Sequence, residues 1–197
     1  MLSSQIKSNE IEFGNCNKEI LEEVIYYGKS LGADFVEIFV ENIDNSNVLA
    51  EEDNITSVSP SFGKGAGIRI FKDKRDGFVS TNDLTKHGLI TSISQAIEML
   101  DITDKKSKEV FSGLNNLRDY RSSKKTWINE VPSIHEISEK LLLSTSALKQ
   151  DNKIIVRKGS YSRNWQEVII ASSDGTYATD IRLHQTVGLN VIATDAQ

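Results

Sequence analysis

Short turn signals between alternating apolar segments constrain the fold of this 197-residue chain more than any other feature. Residues 47–60 alternate on both sides of Asp53-Asn54, and Asp174-Gly175 separates two alternating segments near the end. Such dipeptides are typical of tight hairpin turns. A turn this short joins antiparallel strands, because parallel strands need a crossover of about a dozen residues or more. The sequence therefore predicts a largely antiparallel sheet.

Other alternating segments extend this sheet. Residues 34–41 place Val36, Ile38 and Val40 on one face. The segments "GIRIF" and "GFVST" flank the charged turn "KDKRD" and predict another hairpin. The segments "KIIVRKGSYS", "WQEVIIASS" and "TYATDIRLHQTVGLNVIA" predict three further strands.

Three segments have the apolar spacing of helices, at about residues 18–31, 85–100 and 133–148. Asn17 can cap the first helix, and Ser133 with Glu136 forms a capping box for the third. Thr85 begins the second helix, but Gly88 stands where a capping box has an acidic residue. We expect that cap to lack its second hydrogen bond. Helices combined with an antiparallel sheet predict an α+β fold.

The two halves of the chain share a weak internal similarity. A shift of 121 positions places Asp53 on Asp174 and Gly67 on Gly188. We interpret the halves as two helix-plus-β-meander units whose hairpins at 47–58 and 168–179 are equivalent. Chance similarity between hairpins is the alternative.

The domain organisation follows from the same segments. We predict an N-terminal tail at residues 1–16 and one domain at residues 17–197. Its two subdomains, at about 17–103 and 132–197, are joined by an irregular connection at 104–131. The connection is predicted because "DITDKKSK" and "RDYRSSKK" are charged and show no periodicity.

Charge and cysteine content exclude several classes of protein. The formal net charge is −5 without a basic stripe, so a nucleic-acid partner is not expected. Cys16 is the single cysteine, which rules out an internal disulfide and fits a reducing compartment. The N-terminus lacks a signal-peptide core, and no apolar run approaches the roughly 20 residues of a membrane span. We expect a cytoplasmic protein without a membrane partner.

The glycine-rich stretch "SFGKGAGIRIF" could in principle hold a phosphate. A dinucleotide-binding loop must be followed by a helix, whose N-terminus meets the pyrophosphate. Here Gly63, Gly65 and Gly67 are followed by a β-branched alternation. Lys64 does not stand in a P-loop frame either. The glycines instead favour a close backbone approach or a bulge within a sheet, and we expect no phosphate site.

The histidines do not form a recognisable metal motif. His135-Glu136 resembles the start of a zinc-protease helix, but the second histidine that this motif needs is replaced by Glu139. His87 and His184 lie in other predicted elements, without a carboxylate at ligand spacing. Cys16 lies in a polar segment and is predicted to be an ordinary thiol rather than a nucleophile.

Two further groups of residues are predicted to have structural rather than functional roles. Glu51, Glu52 and Asp53 form a carboxylate run at a predicted turn, which is usually solvated; a cation site has no additional support. Trp127 and Trp165 flank the third helix and are predicted to pack against it rather than to form a ligand platform. We therefore predict no catalytic, no cofactor-binding and no metal-binding residue in this chain.

Several segments occur in an order and spacing that point to a family. They are "GADFVEIFVE", "EDNITSVSPSFGKGAGIRIF", "GFVSTNDLT" and "EVIIASSDGTYATDIRLHQTVGLNVIA". From about Lys18 to Ala193 the chain resembles the N-terminal domain of the TldD/PmbA proteins, also called modulators of DNA gyrase. "STNDLT" and "SDGTYATDIR" resemble the TldD branch more than the PmbA branch.

The resemblance implies a zinc metallopeptidase that acts on peptides or unfolded proteins. It also implies a TldD-like subunit that pairs with a PmbA-like subunit or forms a homodimer. The metal motif of the family, a His-Glu helix with a further histidine and a distant cysteine, belongs to its C-terminal domain. We expect that domain, and its zinc, to be absent from this chain, so none of its ligands is assigned to a residue here.

Two hypotheses follow from these observations. In the first, the chain is the non-catalytic N-terminal domain of a TldD-like peptidase, and its sheet edges guide an extended peptide by strand addition. In the second, it is a stand-alone peptide-binding or regulatory module without peptidase activity.

Overall fold

The computed structural model describes residues 13, 16–106, 110–119, 131–150 and 152–195. These residues form three α-helices: α1 (Lys18–Ser30), α2 (Lys86–Met99) and α3 (Ile134–Ala147), the last followed by a 3-10 turn at Leu148–Gln150. They also form six strands: β1 (Phe35–Glu51), β2 (Asn54–Lys72), β3 (Arg75–Thr81), β4 (Asn115–Asp119), β5 (Ile154–Ser172) and β6 (Thr176–Ala193). The three predicted helices are confirmed.

The strands belong to one sheet in the order β3-β2-β1-β5-β6-β4. β2 and β3 pair antiparallel. β1 and β5 also run in opposite directions, because the Ser173 N–H donates to the Val36 carbonyl and the Glu52 N–H donates to the Arg157 carbonyl. β4 differs, since it pairs parallel with β6. The predicted α+β fold with a largely antiparallel sheet is confirmed.

The long strands continue through places where the sequence predicts breaks. β5 has 19 residues and includes both "KIIVRKGSYS" and "WQEVIIASS", so the prediction of two separate strands is wrong. The polar residues at the expected break pair across the sheet instead. Arg163 Nη2 lies 3.1 Å from Asp44 Oδ1, and Asn164 donates to Asn45. Their hydrogen bonds satisfy polar groups that would otherwise favour a loop.

The connection predicted at 104–131 is not irregular throughout. β4 lies within it, and the Asn115 N–H donates to the Gly175 carbonyl at 2.8 Å. Phe111 and Leu114 are buried, each with 6% of its surface exposed. The strand has no apolar alternation because it is stabilised by main-chain hydrogen bonds to β6. Residues 107–109 and 120–130 of this connection, including Trp127, lie outside the described residues.

The three helix starts are capped by side chains. Asn17 accepts from the Ile20 N–H, and Ser133 and Glu136 form the predicted capping box. The prediction that α2 lacks a second capping hydrogen bond is wrong. Asp83 Oδ1 accepts from the Thr85 N–H at 3.0 Å, while Thr85 itself accepts from the first turn of α2. An upstream carboxylate therefore replaces the downstream one of a capping box.

The chain forms two compact units. The first contains the described residues within 13–42, 63–119 and 167–181, and the second those within 43–62, 131–166 and 182–195. Each unit draws on both halves of the sequence. The predicted tail and subdomain limits stay a prediction, because each compact unit combines segments that are distant in sequence.

Each unit has its own apolar core. In the first, α1 and α2 bury side chains against strand residues; fully buried members are Leu21, Val24, Ile25, Leu89, Ile93, Val36, Ile38, Ile68, Ile70 and Ile169. In the second, α3 packs on the sheet through a smaller cluster of Val48, Ala50, Ile137, Leu141 and Tyr161. Removal of these side chains from water is the main stabilising contribution in both units.

The predicted equivalence of the two hairpins is wrong at their turns. Glu52 and Asp53 form a two-residue turn, in which Glu52 has φ 55°. The second turn has three residues, 173–175, and Gly175 has φ 96°. The left-handed residue therefore stands at a different position in each turn. What the halves do share is a helix that precedes a long hairpin, α1 before β1-β2 and α3 before β5-β6.

Among the helices formed by the described residues, none has the length and apolar character needed to cross a bilayer.

Candidate functional site

An arginine in β5 organises the carboxylate run at the β1-β2 turn. Arg157 is buried, and its Nε donates to Glu52 Oε2 at 2.8 Å. Its Nη1 donates to the Thr145 carbonyl at 3.1 Å, which connects the turn to the end of α3. The Arg157 N–H also donates to Glu52 Oε1 at 3.0 Å. These hydrogen bonds, the main-chain one first, hold the pKa of Glu52 below its ordinary value.

The other two carboxylates of the run also have partners. Asp53 accepts from Ser146 Oγ at 3.0 Å and pairs with Lys149 at 3.6 Å. The Ser146 hydrogen bond is the main reason that the pKa of Asp53 is lowered. Glu51 pairs with Lys158 Nζ at 3.3 Å. The run is half exposed, as expected for a turn, and each of its three carboxylates has a cationic partner within the protein.

Alternation in the central strands gives the second unit two different faces. Val48, Ala50 and Tyr161 are buried under α3. Gly159 belongs to the same face, because a Cβ there would lie 2.8 Å from Leu141 Cδ1. The residues between them in the sequence point the other way and are exposed: Leu49, Glu51, Lys158 and Ser160. In the part of the chain that the structure describes, the core cluster of the second unit lies on the α3 side of the sheet.

A cleft of about 450 Å³ lies on the exposed face. Four adjacent strands line it, through Leu49, Ala50, Glu51, Thr56, Lys158, Gly159, Ser160, Gly188, Leu189 and Asn190. The cleft is deepened at Gly188, which has no side chain; a Cβ at this position would lie 2.8 Å from Ser160 Oγ. A glycine here keeps the floor open beside the serine hydroxyl.

The chemistry of the cleft suits binding rather than bond cleavage. Thr56 and Ser160 provide hydroxyl groups, Asn190 an amide, and Leu49 an apolar contact. The charged pair of Glu51 and Lys158 lies at its rim. Ser160 has no histidine among the lining residues that could activate it as a nucleophile. The groups match a ligand that offers alternating donors and acceptors together with apolar side chains, as an extended peptide does.

The glycine-rich stretch lies in β2 and is extended. Gly67 lies against the ring of Phe78, to which a Cβ would approach within 2.9 Å. Gly65 lies close to the Thr81 carbonyl, at 3.0 Å from a Cβ. The predicted close approach is thus confirmed, whereas the register from Ala66 to Lys72 shows no bulge. Whether the stretch binds phosphate stays a prediction.

The potential zinc ligands lie in separate places. His87, His135 and His184 are exposed in α2, α3 and β6, and Cys16 is fully buried beside α1. His135 contacts Glu139 at 3.4 Å. No three His, Cys, Asp or Glu side chains of the described residues converge in a group that could hold a metal ion. A catalytic zinc needs about three such ligands, so the described residues do not form a site of that kind.

Sequence reasoning missed Arg157 and the cleft. Arg157 lies in the predicted strand "KIIVRKGSYS". In the structure every second residue from Arg157 to Tyr161 faces the core, so the charged side chain of Arg157 points inward. The sequence alone does not reveal which of the two alternating sets is buried. The cleft has no comparable signal, because its residues come from four strands whose order the sequence does not reveal. Trp165 is half buried within β5.

Two family models match the chain. The model described as PmbA/TldA metallopeptidase domain 1 matches residues 36–100, and the one described as the central domain matches residues 90–197. A protein named metalloprotease MJ0996, from Methanocaldococcus jannaschii, is 25% identical over 166 residues, which is 81% of this chain and 35% of that protein.

Solved structures share the fold. A protein from Bacteroides thetaiotaomicron, described as a modulator of DNA gyrase, gives a TM-score of 0.69 at 18% identity over 93% of this chain and 42% of its own. TldE from Thermococcus kodakarensis gives 0.67 at 21% identity over 89% and 40%. The chain therefore spans less than half the length of these relatives. On the match of the family models, this chain belongs to the PmbA/TldD family of metallopeptidase-like proteins.

Proposed function

We propose that this chain is the non-catalytic, peptide-binding N-terminal part of a TldD-like zinc metallopeptidase that acts on peptides or unfolded proteins. The observation that carries the proposal is the cleft on the exposed sheet face of the second unit. It is large enough for several residues of an extended chain and is lined by strand backbone, hydroxyls and a leucine. Family membership supplies the reaction class.

Hydrolysis requires groups that this site lacks. A metallopeptidase uses zinc to activate water, and three protein ligands hold the ion around one open position. The scattered histidines and Cys16 do not provide that geometry. The relatives are more than twice as long as the region that this chain matches. We assign the zinc to that additional part of the protein, together with the contacts to a PmbA-like subunit or a second copy.

The first experiment compares peptide binding with peptide hydrolysis. A fluorescein-labelled, unstructured peptide is titrated with the purified 197-residue chain, and fluorescence anisotropy gives the dissociation constant. Zinc content is measured by plasma mass spectrometry, and cleavage of the same peptide is followed by chromatography. We expect saturable binding, less than stoichiometric zinc and no metal-dependent turnover. Stoichiometric zinc with turnover would overturn the non-catalytic assignment.

A second experiment separates the peptidase from a stand-alone binding module. The longest reading frame that contains these residues is expressed with a PmbA-like partner from the same genome. We expect zinc-dependent hydrolysis that a chelator abolishes. Binding of the peptide without hydrolysis in every such combination would favour the regulatory module, and absence of binding would remove both hypotheses.

A further inference from the structure

The strands under the cleft arrange its side chains in two neighbouring rows. Glu51 Oε1 lies 3.3 Å from Lys158 Nζ, and this ion pair forms a charged row across β1 and β5. Leu49 and Ser160 lie two residues away on the same two strands and face the same side, because side chains alternate. A strand rises about 3.3 Å per residue, so the Leu49 row lies about 6.6 Å from the charged row. Only a long side chain of a ligand can contact both rows.

The hydroxyl groups of the Leu49 row face the cleft as acceptors. Thr56 Oγ1 donates to the Leu49 carbonyl at 3.3 Å, and Ser160 Oγ donates to the Gly188 carbonyl in a long hydrogen bond of 3.5 Å. A hydroxyl group has one hydrogen and two lone pairs, so a hydroxyl that donates to the main chain offers its lone pairs to a ligand. A ligand group that donates several hydrogen bonds therefore matches this row better than a group that accepts them.

The middle of the cleft can hold a hydrocarbon stem. Leu49 lines it with 46% of its surface exposed. Gly188 leaves room beside it, since a Cβ there would lie 2.8 Å from Ser160 Oγ. Long cationic side chains place their methylene groups on apolar surface and keep the charged head in polar surroundings. A leucine beside an open glycine, with a carboxylate in the next row, matches a side chain of this kind.

The ion pair in the charged row can exchange its cation. The side chains of Glu51 and Lys158 are 47% and 54% exposed. Exposed ion pairs contribute little free energy, because water competes for both charges and two flexible side chains must be held in place. An ammonium group acts as a point charge, whereas the planar guanidinium of arginine donates two parallel hydrogen bonds to a carboxylate. An arginine of a bound peptide is therefore able to replace Lys158 at Glu51.

We propose that the cleft is a subsite for an arginine side chain of the bound peptide, and that Glu51 determines this specificity. The inference rests on the proposed peptide-binding function and names the side chain that the cleft selects. The arginine stem lies on Leu49 beside Gly188, and the guanidinium donates to the Glu51 carboxylate and to the hydroxyl oxygens of the Leu49 row. Lys158 competes with the peptide for the same carboxylate and leaves it when arginine binds.

The test uses five labelled, unstructured peptides that differ at one central residue, which is arginine, lysine, citrulline, norleucine or glutamate. Citrulline has nearly the shape of arginine without its charge, and norleucine has only an apolar stem. Fluorescence anisotropy with the 197-residue chain gives each dissociation constant. We expect arginine to bind about three- to tenfold more tightly than citrulline, with lysine between them and glutamate weakest.

Three variants locate the preference. Glu51→Gln should bring the arginine and citrulline peptides to within about twofold of each other, because the carboxylate is lost. Lys158→Met should tighten binding of the arginine peptide about two- to fivefold, because the competing cation is removed. Glu139→Gln is the matched control, since it makes the same charge change at a 63% exposed side chain of α3 that does not line the cleft. It should leave every dissociation constant within about twofold, and circular dichroism confirms that each variant is folded.

The outcomes separate this inference from the proposed function. If no peptide binds, the peptide-binding function fails and the subsite fails with it. If all five peptides bind equally, or Glu51→Gln keeps the preference for arginine, peptide binding stands and the arginine subsite is wrong. Tightest binding of the glutamate peptide, lost in Lys158→Met, would make Lys158 the recognition group and overturn the inference.

Two further results would also count against it. An arginine preference that Glu139→Gln weakens as much as Glu51→Gln would be a general effect of net charge and would overturn the subsite. An unchanged dissociation constant of the arginine peptide in Lys158→Met would overturn the competition between Lys158 and the peptide.

Discussion

Arg157 is the residue on which the local structure of the second unit depends most. It joins the β1-β2 turn to the end of α3 through Glu52 and the buried Thr145 carbonyl. Sequence analysis treats the nearby carboxylates as a solvated turn because the partner is about a hundred positions away. Burial of an arginine is tolerated here because its donors have acceptors.

Replacement of Arg157 should destabilise the protein more than replacement of an exposed arginine. In Arg157→Met the Thr145 carbonyl loses one of its two donors, since the Leu148 N–H also donates to it, and an ordinary hydrogen bond contributes about 0.5–1.5 kcal/mol. For a chain of this size we expect a melting temperature lower by about 1–6 °C. Arg69→Met is the control, since Arg69 pairs with Asp76 at the surface. Equal shifts in thermal denaturation would contradict the role given to Arg157.

The Glu52 carboxylate should make stability depend on pH in one direction. Its pKa is lower in the folded protein than the ordinary value of 4.5, so its contribution is complete above that value. The contribution is lost as the pH falls through the lowered pKa. Glu52→Gln should therefore be less stable than the parent at pH 7, and the difference should shrink below about pH 4.

Urea denaturation at several pH values measures this difference. Glu51→Gln, which removes the neighbouring carboxylate that pairs with Lys158 on the exposed sheet face, serves as a control for the change in net charge. A difference between Glu52→Gln and the parent that stays constant down to pH 3 would show that Arg157 does not stabilise the ionised carboxylate.

Among the elements, α2 has an N-terminal cap that differs from the capping box expected from sequence, because its carboxylate comes from a residue before the helix. The carboxylate of Asp83 accepts from both the Thr85 N–H and the Thr85 hydroxyl, at 3.0 and 2.7 Å. Gly88 takes the position of the usual acidic residue because it lies directly against Asp83. A Cβ at Gly88 would be 2.3 Å from Asp83 Cγ and 2.5 Å from its carbonyl oxygen.

This contact reverses the usual effect of a helical glycine. Exchange of glycine for alanine inside a helix ordinarily stabilises by roughly 0.5–1 kcal/mol. We expect Gly88→Ala to destabilise instead, because the methyl group collides with the main chain of Asp83 as well as its side chain. Urea denaturation midpoints measure the effect. Gly63→Ala is the control, since a Cβ there has no neighbour within 4 Å. A stabilised Gly88→Ala variant would show that the Asp83 turn is not held in place.

For the molecule as a whole, the single cysteine reports on opening of the first unit. Cys16 is fully buried and belongs to the same core cluster as Leu21 and Ile169. Burial raises the pKa of its thiol to about 11, so little thiolate is present near pH 8.

We expect this thiol to react with a disulfide reagent only as fast as the first unit opens. The labelling rate should rise steeply in urea, in parallel with the loss of circular dichroism. A rate in buffer close to that of the unfolded chain would contradict the burial of Cys16. Because the thiol is the only one, no second cysteine complicates the measurement.

Local information in the sequence accounts for most of the elements. The helices begin and end within one residue of their predicted limits, since apolar spacing and the caps at Asn17 and Ser133 act over a few residues. The signal at Asp53-Asn54 locates its turn one residue too late, since the turn is Glu52-Asp53, whereas Asp174-Gly175 lies within the turn at 173–175; neither signal gives the turn type. Strand lengths were underestimated, because polar cross-strand pairs such as Arg163 with Asp44 become visible only when the partner strand is known.

The candidate site was not predictable in the same way. Its lining comes from four strands, and the relevant neighbours of Lys158 and Gly188 are distant in sequence. The family resemblance indicated a peptidase relative, and the family models confirm the membership. Neither the resemblance nor the family models indicate which face of the sheet is exposed and carries the cleft.

The sequence by itself determined the type and approximate position of the helices, the antiparallel hairpins and the family of this chain. These properties depend on contacts between near neighbours or on a pattern that is read in one dimension. Only the tertiary structure decided that β4 pairs parallel with β6, that Asp83 caps α2, that Arg157 neutralises the β1-β2 turn, and that a cleft opens beside Gly188. Each of these depends on where distant segments meet, which is set by burial of the two cores rather than by any local preference.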